Sequence, residues 1–258
     1  MNTQTRPIPV LTWHKVSPSW EPGITVVSPA RFRLQIEALQ AAGARPLSLE
    51  DYIARGGLQE EGGRRCLICF DDAYECVAEH AAPLLLKLGW PATLFPVLGW
   101  LGDWNRWDRG LLGRRFRHLD ADGLRRLLDR GWSLGLHGRS HCRLCGRGLE
   151  ELEREVVEAR AELELLFGRS VHAIAWPYGR CDRRAVRVAQ AAGLRVGFGR
   201  CRLEHPLCRP RHVVYPVHGP RALEAMLAGA GPDAWQRLAG CGAGLSSWIG
   251  GRDPTRLV

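Results

Sequence analysis

The sequence predicts an α/β fold in which parallel strands alternate with helices in a single domain. Short apolar runs and longer amphipathic segments follow one another along most of the 258 residues, the pattern typical of βα units. No linker, fixed-period repeat or low-complexity tract divides the chain. With 45% hydrophobic residues, the chain is long enough for one substantial core, and its length suits a single α/β barrel as well as two small domains.

Seven short apolar runs have the length and composition of buried strands. Several are followed directly by polar or reactive residues, and in a closed parallel barrel the carboxyl ends of the strands gather on one face. We therefore expect residues far apart in the sequence to meet there. The predicted strands cover residues 9–13, 66–70, 92–97, 132–136, 171–175, 194–198 and 212–215.

The predicted helices lie between these strands. In the first, Ser28 is an N-cap, Pro29 occupies the first turn, and Gly43 ends a face formed by apolar residues at helical spacing. Residues 100–118, rich in Trp, Gly and Arg, are predicted to form a long loop beside a substrate cleft. The remaining helices are predicted at residues 74–88, 120–128, 149–167, 182–192 and 220–228.

The formal net charge of +9 comes from 36 basic and 27 acidic residues, and only Lys15 and Lys87 are lysines. The arginines are spread along the chain, so the composition favours a solvated basic surface and argues against nucleic acid as a partner. An anionic glycan or a phospholipid-linked sugar is compatible with this charge.

Nine cysteines and an N-terminus without the layout of a secretory signal favour a reducing cytosol, hence a cytoplasmic protein. No apolar run is long enough to span a bilayer, although peripheral membrane contact is compatible with the sequence. Cys66 and Cys69 lie on a strand and face opposite sides. Cys142 and Cys145 lack a matching second pair, so neither pair predicts a structural zinc.

The most informative residues are Asp71 and Asp72, which close one strand, and His137 and His141, which follow another. Adjacent carboxylates at a strand end point to different sides, so one can bind a metal while the other accepts a proton. Asp72, His137 and His141 would supply three ligands and leave a coordination position open, as a catalytic zinc requires. The pattern indicates metal-dependent hydrolysis.

These motifs resemble those of the polysaccharide deacetylases, the NodB-homology or carbohydrate esterase family 4 proteins. Cys69–Ala73 is similar to the family's Thr-Phe-Asp-Asp-Gly, His137–His141 to its His-x-x-x-His, and Ala175–Gly179 to its proline-tyrosine-glycine motif. Leu11–Val16 and Pro210–Arg211 resemble motifs of the branch that contains the poly-N-acetylglucosamine deacetylases. The resemblance covers about residues 9–215, which leaves residues 216–258 as a helical extension of a single 1–258 domain.

The resemblance implies a distorted (β/α)7 TIM-like barrel, of about seven βα units, that removes N-acetyl groups from sugars with the help of a metal. Carried over to this sequence, Asp72, His137 and His141 bind the metal, and Asp71 is the general base. The backbone N–H of Tyr178 would stabilise the oxyanion. Zn²⁺ is the expected ion, with Co²⁺, Ni²⁺ and Fe²⁺ as alternatives.

The general acid is predicted to be His14, because it follows the first strand and matches the opening motif of the branch, with His218 as the alternative. Arg211 is expected to steady Asp71 through a charge-assisted hydrogen bond, with a surface position as the alternative. Trp100 and Trp107 are candidates either for stacking on sugar rings or for anchoring their loop. The residues assigned to substrate contact are Trp176, Pro177 and Trp104.

Three positions depart from the family pattern. Ala73 replaces a glycine, which is costly only if the residue needs a positive φ; Cys69 replaces a threonine; and Ala175 stands where an arginine is usual. No predicted ligand is lost. The expected substrate is an N-acetylated amino sugar in an oligosaccharide, glycan or lipid-linked glycan. The alternatives are a glycan-binding protein that has lost turnover and an amidohydrolase for a non-sugar amide.

Overall fold

The computed structural model describes residues 5–19, 25–105, 115–201 and 203–230, which form one α/β domain. Its strands are β1 (Thr5–Pro7), β2 (Val10–Trp13), β3 (Lys15–Val16), β4 (Val26–Val27), β5 (Arg45–Leu47), β6 (Leu58–Glu60), β7 (Arg65–Asp72), β8 (Thr93–Pro96), β9 (Ser133–Leu134), β10 (Ala173–Ala175), β11 (Val196–Phe198) and β12 (His212–Val213). Its helices are α1 (Pro29–Ala41), α2 (Leu49–Ala54), α3 (Glu75–His80), α4 (Ala82–Lys87), α5 (Ala121–Leu128), α6 (Leu149–Leu152), α7 (Ala159–Phe167), α8 (Arg183–Ala191) and α9 (Pro220–Leu227), and a π-helical segment (Glu153–Glu158) joins α6 to α7.

The predicted strands form a closed ring of parallel neighbours. β12, β2, β7, β8 and β9 are paired in that order, and β10 pairs with β11. Two parallel bridges complete the ring, one from Leu136 to Ile174 and one from Phe198 to Arg209 just before β12. At the start of β7, β5 takes the place that β8 occupies further along. The single domain and the distorted seven-stranded barrel are therefore confirmed.

Aromatic and aliphatic side chains from alternate strand positions fill the barrel. The Phe95 and Phe198 rings meet edge to face, with centroids 5.9 Å apart, and Tyr52 of α2 packs against Phe198. Gly135 makes room for this packing, since a Cβ there would lie 2.2 Å from a Phe95 ring carbon. The barrel interior is thus filled by side chains, and in such a barrel a substrate binds at the loops beyond the carboxyl ends of the strands.

The helix-capping predictions are confirmed where they were most specific. Ser28 Oγ accepts a hydrogen bond from the Arg31 amide at the start of α1, and Asp120 caps α5 in the same way. The predicted helix at 74–88 is wrong as a single element: it is two helices that meet at Ala81, because Pro83 has no amide to continue the hydrogen-bond ladder. The predicted helix at 149–167 contains the π-helical segment.

The elements that sequence periodicity missed are short. β1 pairs with β6 and β3 pairs with β4, while β5 and α2 lead toward β6. With two to six residues each, they are too short to show a hydrophobic period. Within the described ranges no helix is long and apolar enough to cross a membrane.

The predicted loop at 100–118 begins with a short 3-10 turn, Leu98–Trp100, and its far end returns to the barrel. Isolated bridges join Trp104 to Arg117 and Tyr74 to His118. Residues 106–114, which include Trp107, lie outside the described residues, as do residues 231–258 of the predicted C-terminal extension.

Candidate metal centre and active site

The carboxyl ends of β7 and β9 bring three potential metal ligands together. Asp72 Oδ1 lies 3.5 Å from His137 Nε2 and 3.4 Å from His141 Nε2, and one donor atom from each residue lies within 4.8 Å of the others. A tetrahedral Zn²⁺ with bonds of about 2.0–2.2 Å separates its N and O ligands by about 3.4 Å. All three side chains are buried. The donor set and its spacing therefore fit a divalent ion of this kind.

The imidazoles are in the state that metal binding requires. Burial lowers the pKa of His137 and takes the pKa of His141 well below its ordinary value, so both rings are neutral at physiological pH. His137 Nδ1 donates a hydrogen bond to the Ala175 carbonyl at 2.7 Å. Because a carbonyl can only accept, this bond leaves His137 Nε2 as the ligand atom and fixes the plane of the ring.

Asp71 faces a different group of partners. Its Oδ1 accepts a 2.7 Å hydrogen bond from buried Arg211, so the predicted contact between these residues is present. Its Oδ2 lies 3.7 Å from His14 Nε2 and 3.9 Å from His137 Nε2, without a hydrogen-bond donor among the described residues. Burial would raise the pKa of the Asp71 carboxyl, but the charge and the hydrogen bond of Arg211 oppose it, and the pKa lies below its ordinary value. An ionised oxygen is therefore available for a proton.

Of the two candidate general acids, His14 is the one that lies beside the Asp71 carboxylate, and its side chain is 22% exposed. Burial lowers its pKa to about 4 against the opposing effect of Asp71, so the ring is neutral at rest. His218, the alternative acid, has a different set of contacts. Its Nδ1 accepts a hydrogen bond from the Tyr215 amide, and its carbonyl accepts one from Gln35. These contacts hold the turn after β12.

Left-handed backbone is concentrated at the site. In the part of the chain that the structure describes, the non-glycine residues with positive φ are Asp72 (63°), Ala73 (52°), His141 (62°) and Tyr178 (57°). Each such conformation costs about 1–3 kcal/mol and persists only where surrounding contacts impose it. Ala73 therefore has the positive φ at which the glycine of the family pattern would avoid backbone strain.

The returning end of the long loop supports the strained turn after β7. His118 Nδ1 donates to the Asp72 carbonyl at 2.7 Å, and the Leu119 amide donates to the Ala73 carbonyl at 2.8 Å. His118 is buried and stacks on Tyr74, with centroids 4.6 Å apart. Sequence reasoning missed His118, because its role depends on a return of the chain that no local pattern indicates.

Glu155 supports the histidine loop in a similar way. This buried residue of the π-helical segment accepts hydrogen bonds from the amides of Arg139 (2.8 Å) and Ser140 (3.0 Å) and from the Ser140 hydroxyl. It lies below Gly138, where a Cβ would be 3.0 Å from the carboxylate. One carboxylate thus holds the segment between His137 and His141, and sequence reasoning missed it because it appeared as one of many helix-surface glutamates.

The remaining predicted site residues differ in their placement. Tyr178 is in the 3-10 turn Pro177–Gly179, with its ring centroid 4.8 Å from that of His141. Trp104 is 47% exposed. Trp176 is fully buried and donates to the Leu207 carbonyl at 2.6 Å, and the substrate contact assigned to it stays a prediction. Pro177 is also buried and supports the turn.

Comparison with known proteins agrees with this geometry. A model of the polysaccharide deacetylase family matches residues 59–197, more than half of the chain. The chain belongs to the polysaccharide deacetylase family. It is 26% identical over 174 residues to the poly-beta-1,6-N-acetyl-D-glucosamine N-deacetylase of Staphylococcus aureus, a match that covers 67% of this chain and 60% of that protein. This chain therefore spans less than two thirds of the length of that curated relative.

Solved structures share the fold at low sequence identity. The deacetylase PplD of Streptococcus pyogenes, in complex with acetate, superposes with a TM-score of 0.72 at 18% identity, covering 87% of this chain and 99% of that one. IcaB from Ammonifex degensii superposes with a TM-score of 0.71 at 23% identity, covering 86% and 97%. These structures support the barrel architecture.

Replacing Ala73 by glycine tests the strained turn. Relief of left-handed strain is worth about 1–2 kcal/mol. The lost burial of a methyl group costs about 0.8 kcal/mol, and the greater backbone entropy of glycine costs about 0.5–1 kcal/mol. We expect Ala73→Gly to change the free energy of unfolding in urea by less than about 1 kcal/mol. Ala78→Gly, inside α3, should destabilise by about 1 kcal/mol. A loss above about 2 kcal/mol for Ala73→Gly would contradict the left-handed assignment.

Removing the Glu155 carboxylate tests the support of the histidine loop. Glu155→Ala removes the acceptor of the Arg139 and Ser140 amides, and we expect Zn²⁺ affinity to fall about 10–100-fold in a competition titration with a chelator. Glu158→Ala, at an exposed position of the same segment, is the control and should bind Zn²⁺ as the wild type does. Equal affinities in the two variants would show that Glu155 does not position the ligands.

Proposed function

We propose that this protein is a metal-dependent hydrolase that removes an N-acyl group, most simply acetyl, from an amino sugar of a glycan or glycan precursor. The observation that carries this proposal is the convergence of three neutral or anionic donors, Asp72, His137 and His141, beside a second carboxylate that is not among them. Membership of the polysaccharide deacetylase family supports the same reaction class.

Asp72, His137 and His141 would hold the ion, with Zn²⁺ favoured by the two imidazoles and Co²⁺, Ni²⁺ and Fe²⁺ as alternatives. When bound, such an ion lowers the pKa of water and polarises the acyl oxygen. His137 is kept in the ligating tautomer by the Ala175 carbonyl. The chain therefore fixes the orientation of at least one ligand before the ion binds.

Asp71 is the general base in this proposal. Its Oδ2 carries no hydrogen bond from the described residues and takes the proton of the attacking water, while Arg211 holds the other oxygen. The guanidinium keeps the carboxylate ionised and prevents it from rotating toward the ligand histidines. Arg211 is thus a positioning residue that acts through Asp71.

Residues that follow two other strands are proposed to stabilise the oxyanion and to protonate the departing amine. In this proposal the backbone N–H of Tyr178, a residue in left-handed conformation, stabilises the developing oxyanion. His14, neutral at rest, receives a proton during turnover and passes it to the amine nitrogen. Asp71 Oδ2, protonated after the base step, lies 3.7 Å from His14 Nε2 and is the source of that proton.

The substrate class is proposed from an exposed aromatic side chain and from a relative. Exposed Trp104 offers an aromatic face for a sugar ring, and the staphylococcal relative is named for action on poly-N-acetylglucosamine. A polymer, an oligosaccharide and a lipid-linked glycan all present the same N-acetylated amino sugar. The formal charge of +9 also suits a glycan that carries phosphate or carboxylate groups.

Single variants test the proposed metal ligands and the proposed general base separately. Asp72→Ala, His137→Ala and His141→Ala should abolish bound metal and acetate release from chitooligosaccharides. Asp71→Asn should keep its metal but lower kcat by about 10²–10⁴-fold, because only the proton acceptor is lost. Metal content by mass spectrometry and released acetate are measured on the same preparations.

Asp122→Asn, on the exposed surface of α5, is the control and should retain both metal and activity. Glycan binding that survives in Asp71→Asn without any wild-type turnover would instead support a binding protein. A mass change on other N-acyl compounds, with no acetate from sugars, would support a non-sugar amidohydrolase.

The choice between His14 and His218 has its own test. We expect His14→Gln to lower kcat on an N-acetylated sugar by about 10²–10⁴-fold, while His218→Gln lowers it by less than about 3-fold. With p-nitrophenyl acetate, whose phenolate leaves without a proton, His14→Gln should regain near wild-type rates. An equal loss on both substrates would show that His14 does not act as the acid.

A further inference from the structure

A second cluster of possible metal ligands lies outside the active site. Cys181, Cys201 and Cys208 come from three separate segments, and their sulfur atoms all lie within 4.8 Å of one another. The structure joins Cys181 and Cys201 in a disulfide, and Cys208 Sγ lies 3.5 Å from Cys181 Sγ. This convergence, which we call the thiol cluster, was not expected from the sequence, which predicted neither a disulfide nor a structural zinc.

Among the described residues, the metal-ligand cluster consists of three sulfur donors. Asp182, the carboxylate next to Cys181 in the sequence, accepts hydrogen bonds from the Ala185 amide at 2.9 Å and the Gly146 amide at 2.7 Å, so it caps α8 and is already engaged. Thiolates select soft or borderline ions such as Zn²⁺. Zn–S bonds of about 2.3 Å in tetrahedral geometry hold the sulfurs about 3.8 Å apart. The 3.5 Å between Cys181 and Cys208 is close to this spacing.

We propose that the reduced thiol cluster binds one Zn²⁺ through Cys181, Cys201 and Cys208, at a site separate from the Asp72, His137 and His141 centre. Reduction adds two electrons and two protons from a thiol reductant to the disulfide and gives three thiols. Binding of the ion then releases one proton from each thiol to solvent. Oxidation by a disulfide oxidant reverses the sequence and expels the ion.

The environment of the sulfurs suits this state. Cys208 is buried, and burial raises the pKa of its thiol, so its thiolate needs a cation beside it. Cys181 and Cys201 are only partly buried, which gives the ion a path from solvent. Three protein ligands leave the fourth tetrahedral position to a water molecule or an added ligand.

The thiol cluster lies behind the turn that carries Tyr178. The Arg200 amide, one residue before Cys201, donates to the Gly179 carbonyl at 2.7 Å. Trp176 donates to the carbonyl of Leu207, one residue before Cys208. The segments that supply the thiols are therefore the segments that hold the turn, and an ion bound there fastens them together.

Cobalt separates the two sites by spectroscopy. Reduced full-length protein, freed of metal and titrated with Co²⁺, should develop a near-ultraviolet thiolate-to-cobalt charge-transfer band, which carboxylate and imidazole ligands cannot produce. Cys181→Ser, Cys201→Ser and Cys208→Ser should each weaken the band by more than half. Cys145→Ser, which alters an exposed free thiol, is the control and should keep it.

Asp72→Ala should keep the charge-transfer band while losing active-site metal, so failure of this proposal and failure of the proposed function are distinguishable. A second measurement does not depend on variants: Zn²⁺ should protect the three thiols of reduced wild-type protein from alkylation, as mapped by peptide mass spectrometry. Absence of the band in reduced wild-type protein, or unprotected thiols at saturating Zn²⁺, would overturn the proposal.

Discussion

The site depends on a left-handed turn at the end of the second barrel strand. Without it, β7 would continue and the two carboxylates would diverge from the barrel mouth. With Asp72 and Ala73 in the left-handed region, Asp71 reaches Arg211 while Asp72 faces the histidines. The turn costs a few kcal/mol, and hydrogen bonds from His118 and Leu119 to its carbonyl groups help to offset that cost. The candidate site residues Asp71 and Asp72 are thus supported by residues of the long loop.

Charge balance explains why the two aspartates can share this buried region. Arg211 forms an ion pair with Asp71, and burial keeps His137 and His141 uncharged. A buried charge without compensation costs several kcal/mol. The divalent ion that we propose for Asp72 and the two histidines would add positive charge beside this carboxylate. The same ion needs neutral imidazoles, so the burial that would penalise a histidinium favours the ligand state.

Sequence patterns were sufficient for features that are local or repeated. Short-range patterns predicted the seven barrel strands, the caps at Ser28 and Asp120, and the clustering of the candidate ligands Asp72, His137 and His141. The barrel mouth gathers strand ends, so local knowledge of each end predicts their meeting. Sequence patterns did not predict features that depend on contacts between segments far apart in the sequence. His118, Glu155 and the thiol cluster act through contacts between segments, and the burial of Trp176 depends on Leu207, thirty-one residues away.

The two ligand sets are related through one short segment. Tyr178 and Cys181 are three residues apart, on either side of Gly179, and the left-handed Tyr178 turn stores about 1–3 kcal/mol of strain. A strained turn keeps its shape only if the chain on both sides is held. Trp176 fixes the first side by its bond to Leu207, and Arg200 fixes the second through Gly179. Cross-linking Cys181 to Cys201 and Cys208, by the disulfide or by the proposed ion, ties the second side further. The redox and metal state of the thiols therefore bears on how firmly the turn proposed to bind the oxyanion is held.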